Sequence, residues 1–356
     1  MSPFAHERAM ISLLSGRPLP PDSLRRIRPE AFLPLCRAHR VAGLVYEAAA
    51  GADGFPAEIL PPLREMARKT LVDNLVLLRA LQDAAAALSE EGLGFVLLKG
   101  ASLLGFLYPE IQLRPMTDVD LLIREKDWPK VAETLKGRGY RMPAPDSERY
   151  YAENWYHQLV ESAQVPPTYL EFHWNLESVE RSRIDPEELI REAVPCAIEK
   201  EPYLRLGDDH LAVHLCVHLA HHYESPALIW VIDLRRLIQT GHLSWERIAR
   251  LAKAWGVRNC LAYSLGYLER VFPGTLPPEA RQVRLSFARR ILLGSFRTEN
   301  PVLPHRSLAG RPLRHAVSMI LLDRWRDVAR YISVHSFLRA LRSMPSTHPR
   351  APAEKF

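Results

Sequence analysis

Residues 94 to 123 constrain the fold of this chain more than any other stretch. They contain Phe-Val-Leu-Leu-Lys99-Gly100-Ala101-Ser102, a connecting segment, and then Arg114-Pro-Met-Thr-Asp118-Val119-Asp120-Leu-Leu-Ile. An apolar run that stops at Lys-Gly predicts a buried strand turning sharply into a short helix. Glycine tolerates the tight turn and leaves backbone N–H groups open to phosphate. The next strand carries acids. Asp118 and Asp120 are two apart, so on an extended strand both side chains leave one face, roughly 7 Å from each other, and can share divalent cations.

A third carboxylate is expected on a neighbouring strand, and Glu171 in Thr-Tyr-Leu-Glu-Phe-His-Trp fits, being flanked by apolar residues on both sides. Three acids on adjacent strands facing a glycine turn are what two-metal phosphoryl or nucleotidyl transfer needs. Such acids repel one another and raise each other's pKa, so the pattern predicts that divalent cations offset their charge.

The order glycine turn, helix, Asp-x-Asp strand, helix and later single acid resembles the polymerase-beta-like nucleotidyltransferase superfamily. The wording Leu-Leu-Lys-Gly, Arg-Pro-Met-Thr-Asp-Val-Asp-Leu-Leu-Ile, Gly-Tyr and Leu-Glu-Phe-His-Trp is similar, more narrowly, to a bacterial family of uncharacterised nucleotidyltransferases. The resemblance spans residues 86 to 240. It implies Asp118, Asp120 and Glu171 as ligands of Mg²⁺ or Mn²⁺, Gly100 with Ser102 as the phosphate turn, and an NTP as substrate. The acceptor is left open: a small molecule, a peptide or a protein. Two features depart from the superfamily pattern, namely the order Lys99-Gly100-Ala101-Ser102 and a longer gap to Asp118. Lys99 either supplies positive charge to phosphate or is a strand-end lysine reaching solvent. Arg114 either contacts the triphosphate, anchors its loop, or pairs with a nearby acid.

The fold class that follows is α/β of the α+β kind: a small mixed sheet forming a nucleotidyltransferase core, with helical regions before and after it. Residues 1–92 read as helical, with apolar residues at three- and four-residue spacing from Leu63 into a long helix that Gly92 stops. His39 and Arg40 read by default as a solvated helix edge, and otherwise as substrate contacts. Residues 93–176 hold the core, with a helix opening near Glu125 and Pro129 and strands at His157–Val160 and Thr168–His173 split by Pro166-Pro167. Residues 177–343 read as helical from about Asp185, and 344–356 as a disordered, proline-bearing tail.

Asp208-Asp209-His210 opens a helix that sets His214, His218 and either His221 or His222 along one stripe. His173, His214 and His218 are candidates for lining the substrate cleft. With Asp233 the stripe would be a rival metal centre, but it lacks an adjacent His-Asp pair or a His-Glu-x-x-His arrangement.

Several classes are excluded or disfavoured. No Gly-x-Gly-x-x-Gly follows a strand, so a nicotinamide cofactor has no support. The four cysteines form no Cys-x-x-Cys pair. No apolar run approaches membrane-spanning length and no signal pattern opens the chain, so a cytoplasmic protein is expected. Residues 281 to 356 hold 14 Arg and one Lys against four acids, although the whole chain is only +6. A solvated helix face is the default reading of these arginines, and a surface for a polyanion such as nucleic acid is the other. A non-catalytic module that holds a nucleotide or peptide on the same fold is the alternative to an enzyme.

Overall fold

The apolar periodicity from Leu63 becomes the 31-residue helix Leu60–Glu90 of the computed structural model. This structure describes residues 4–17, 20–142, 156–162, 164, 166–178, 181–223, 226–294 and 311–333. The long helix ends as its sequence dictates. Gly92 takes φ 67°, which a glycine adopts without strain, and the Leu93 amide folds back to the Leu88 carbonyl at 2.9 Å.

Its buried stripe includes Leu63, Leu77, Leu81, Ala84 and Leu88, which join a hydrophobic core shared with the sheet. One polar residue breaks that stripe. Asn74, fully buried, donates to the Ile111 and Arg114 carbonyls at 2.6 and 2.9 Å and accepts from the Met116 amide at 3.2 Å. A buried amide with three good hydrogen bonds fixes the path of the chain that leads into the Asp-x-Asp strand.

Six strands form one mixed sheet: β1 Val96–Leu97, β2 Val119–Leu122, β3 His157–Glu161, β4 Tyr169–His173, β5 Val194–Ile198 and β6 Glu201–Arg205, in the order β3-β4-β2-β1-β6-β5. β2 runs parallel to β4 with Asp120 opposite Glu171, and β3 runs antiparallel to β4 with His157 opposite His173. The expected strands at 157–160 and 168–173 lie within one residue of β3 and β4. The helix Trp128–Gly137 has Pro129 in its first turn, as its sequence predicts.

The β5–β6 hairpin lies inside the stretch read as wholly helical, and β6 joins the sheet parallel to β1. Pro195 and Pro202 obscure it, since proline argues against a strand except at an edge; Pro195 lies on the edge strand β5, and Pro202 on β6 lies away from Arg205, where that strand pairs with β1. Its turn, Glu199-Lys200, takes φ 47° and 74° without any glycine to signal it. The Ala197 carbonyl of this hairpin comes so close to Gly105, at φ 71°, that a Cβ there would sit 2.1 Å from the oxygen.

Beyond the hairpin the chain is helical, with Asp208–His221, Leu228–Gln239, Trp245–Trp255 and Arg258–Val271 packed together. Asp233, on the second of these, is completely buried and accepts from Arg114 Nε and Nη2, at 2.9 and 2.8 Å, and from the Tyr108 hydroxyl at 2.7 Å. The residues read as a disordered tail fall outside the described set. No helix among the described residues is long and apolar enough to cross a membrane.

Breaking a buried ion pair from one side strands the other charge. Asp233→Ala is therefore expected to lower unfolding stability by about 3–5 kcal/mol in a denaturant melt. Lys69→Ala, which removes an exposed pair with Asp73, should change it by less than about 1 kcal/mol.

Candidate functional site

Strand periodicity assembles the site. Residues two apart share a face, so Glu171 and His173 of β4 point the same way, and register brings Asp120 beside Glu171 and His157 beside His173. The opposite face, with Leu121 and Phe172, is core. From β1 the Leu98 amide donates to the Asp120 carbonyl at 3.0 Å, which delivers Lys99 to the same place.

Lys99, rather than Gly100, makes the sharp turn. Its φ is 44°, whereas Gly100 sits at −55° in the first residue of a short helical turn. A left-handed lysine is strained and persists only where its surroundings fix it. Here the Ser102 hydroxyl donates to the Lys99 carbonyl at 2.8 Å, and the Lys99 ammonium donates to Asp120 Oδ1 at 2.6 Å and to Glu171 Oε2 at 3.4 Å. His173 Nε2 meets the same two oxygens, at 2.8 and 3.0 Å. His157 Nε2 lies 3.1 Å from the other Glu171 oxygen.

The electrostatics follow from this ring of four groups. Burial pulls Lys99 toward neutrality, but Asp120 and Glu171 outweigh it and hold the ammonium above its ordinary value. Burial would raise Glu171, yet hydrogen bonds from His157 and His173, with Lys99 beside them, hold it far below the usual carboxylate range. Burial and the Lys99 charge push His173 down, and its hydrogen bonds to the two carboxylates carry it above its ordinary value. Thus Asp120 and Glu171 are already offset in part by side chains of the protein itself.

Asp118 stands apart. Half-buried in a bend just ahead of β2, it accepts a hydrogen bond of 3.4 Å from the Thr117 hydroxyl. Burial first, and the neighbouring Asp120 charge second, push it up to about 6. One ligand atom from each of Asp120, Glu171 and His173 lies within 4.8 Å of the others, a set that does not include Asp118.

The remaining candidates are placed as follows. Arg114 holds Asp233 and the Pro115 carbonyl, so its guanidinium anchors the loop, although Nη1 would lie 3.4 Å from a Cβ on Gly100. That Cβ would also press on Met116 at 3.0 Å. The Gly100 amide makes no backbone hydrogen bond among the described residues. His214 is 2 % exposed with both ring nitrogens lacking partners among the described residues, and burial, then Lys99 and His173, lower it to about 3. His218 turns instead to Trp230, ring centroids 4.8 Å apart, and His222.

Two contributors escaped the sequence reading. His157 was legible only through the β3–β4 register. Glu177 is buried and pairs with His221 beside His214; burial opposes its ionisation, but His221 wins and holds it down at about 2. Arg40, read from the sequence as a solvated helix edge or a substrate contact, occupies a left-handed position at φ 57°, and its guanidinium feels the charges of Arg114 and Asp118 without a hydrogen-bond or ion-pair partner among the described residues. His39 beside it is buried and accepts from the Leu228 amide at 3.4 Å, so this helix end is packed rather than solvated.

A mixed sheet with acids in register on adjacent strands, beside a short helical turn and between helical covers, is a nucleotidyltransferase core. Residues 25–273 match the family described as uncharacterised nucleotidyltransferase, and the chain belongs to that family. Among solved structures it is similar to the antibiotic-resistance factor ANT(2'')-Ia, known from a solution structure that reveals substrate-regulated conformation dynamics. The two share 14% identity at a TM-score of 0.34, over 51% of this chain and 91% of that one. No curated protein matches the chain.

The two strand acids should behave oppositely when neutralised. Asp118 has a folded pKa above its unfolded value of about 4, so its ionisation costs stability. That cost grows as pH rises from about 4 and is complete above about 6. Asp118→Asn is therefore expected to raise the apo melting temperature at pH 8 and to leave it unchanged near pH 4. Asp120→Asn strands Lys99 and His173 and should lower apo stability at pH 8 by ~1–3 kcal/mol. Melting curves of the two variants and wild type check both signs.

Proposed function

We propose that this protein moves a nucleoside monophosphate from an NTP to an acceptor hydroxyl, amine or phosphate, with release of pyrophosphate. The observation that carries the reading is the register of Asp120 and Glu171 on adjacent parallel strands, with Asp118 just ahead of the first of them and close enough to feel the charges of both acids. In such a transfer the acceptor atom bonds to the α-phosphorus while the α–β bridging oxygen leaves with pyrophosphate.

Asp118 and Asp120 would hold Mg²⁺ or Mn²⁺, which when bound neutralises phosphate charge. Gly100 and Ser102 would present the turn to phosphate, and Arg40 would complement the triphosphate as a cation not otherwise engaged among the described residues. Lys99 and Glu171 would face the reacting end. His173 orients Glu171 through Nε2, and His214 covers the site from the helical side, so both shield it from water.

A non-catalytic nucleotide-binding module is the second reading. One observation favours it: Lys99 and His173 already bond both Asp120 and Glu171.

Incubation with each α-labelled NTP, Mg²⁺ or Mn²⁺ and a cell extract decides between them. Transfer of label to an acceptor with pyrophosphate release is expected, and Asp120→Asn should reduce it by more than about 100-fold. NTP binding without any transfer would favour the module, and full activity in Asp120→Asn would remove the acids from the reaction.

A further inference from the structure

Two-metal transfer places cations on both sides of a shared carboxylate. In this chain one of those sides carries a lysine. We propose that Lys99 is one of the two cations of the transfer site, so that a single divalent ion enters with the NTP, at Asp118 and Asp120. The inference rests on the nucleotidyl-transfer reading above.

Three observations carry it. First, the Lys99 ammonium does not project to solvent from the strand end. It bridges carboxylates from two strands, 2.6 Å from Asp120 Oδ1 and 3.4 Å from Glu171 Oε2, which is the position a shared cation would need. Second, the position is built. The lysine backbone is left-handed at φ 44°, the Ser102 hydroxyl holds its carbonyl, and the preceding amide is bonded to Asp120's own carbonyl. A flexible lysine that wandered over the acids would need none of this, and the strain is maintained because the ammonium is held at the other end.

Third, Glu171 has little capacity left for a metal. One oxygen meets Lys99 and His173, and the other meets His157. Among the described residues Asp120 makes its side-chain contacts through Oδ1, while Asp118 has the one weak bond from Thr117. The oxygens suited to a divalent ion therefore lie on the Asp118 side of Asp120, and the Glu171 side is served by an ammonium. An ammonium is a compact charge with three donors, able both to offset the two acids and to donate to a third oxygen arriving from an acceptor or an α-phosphate.

The test counts metal ions. Bound Mn²⁺ is measured by electron paramagnetic resonance of the free ion, in the presence of an α,β-methylene NTP analogue. Wild type is expected to bind one ion per chain, and Lys99→Met two, the second between Asp120, Glu171 and His173. Two ions in wild type would overturn the proposal, as would one ion in both proteins, since the variant's vacated acids would then not be a cation position. No ion and no analogue bound by either protein would instead defeat the nucleotidyl-transfer reading itself.

A measurement on wild type alone guards against a variant that misfolds. Reductive methylation of Lys99, read by mass spectrometry, should stay slow when Mn²⁺ and the analogue are added. A severalfold acceleration would mean that metal displaces the lysine, and would overturn the proposal.

Discussion

Asp120 and Glu171 can sit side by side in a buried sheet because Lys99 and His173 lie across both of them. Two ionised carboxylates at this separation would otherwise repel and protonate. Much of the surrounding architecture keeps the four groups in place. The Leu98 amide ties β1 to Asp120, the β2–β4 register sets the acids level, and β3 adds His157 behind Glu171. Farther out, Asn74 and the Arg114–Asp233 pair clamp the loop that brings Asp118 and Asp120 in from the helical side.

The acid-bearing strands, the long helix and its glycine stop were legible because each rests on local periodicity or local turn chemistry. Asp120 and Glu171 are brought level by the β2–β4 register, while Asp118 lies in a bend just ahead of β2, where the two-residue rule of a strand does not apply. Their partners were not legible, since no spacing rule places Lys99 over a strand that begins twenty residues later. The turn itself misled: Gly100 drew attention as the flexible residue, but Lys99 takes the left-handed conformation. Arg114 showed the reverse difficulty. Phosphate contact, loop anchor and partner of an acid were all open readings of its charge, and Asp233, the acid it holds, lies 119 residues away on a helix that sequence alone does not bring near. The β5–β6 hairpin was hidden by two prolines, Pro195 on the edge strand and Pro202 on β6 away from its pairing with β1.

The helical cover is more than a lid of apolar packing. His214 places an imidazole without hydrogen-bond partners among the described residues next to Lys99 and His173, and its neighbour His221 holds Glu177. At the other end of the cover, some of the arginines that make residues 281–356 basic are structural. Arg289 donates to the Ile320 and Leu322 carbonyls at 3.0 and 2.9 Å, closing a helix end. Arg290 lies over the Phe287 ring. Basic composition here thus reflects carbonyl capping as well as surface charge.

A double-mutant cycle on Lys99 and Asp120 reads the interaction on which this account stands. Lys99→Met, Asp120→Asn and the combined variant are unfolded in denaturant alongside wild type, without metal or nucleotide. If the ammonium offsets the carboxylate, the double variant loses less stability than the two single variants together, by at least about 1 kcal/mol. Losses that add to within about 0.5 kcal/mol would show that the two residues are adjacent but uncoupled, and would contradict it.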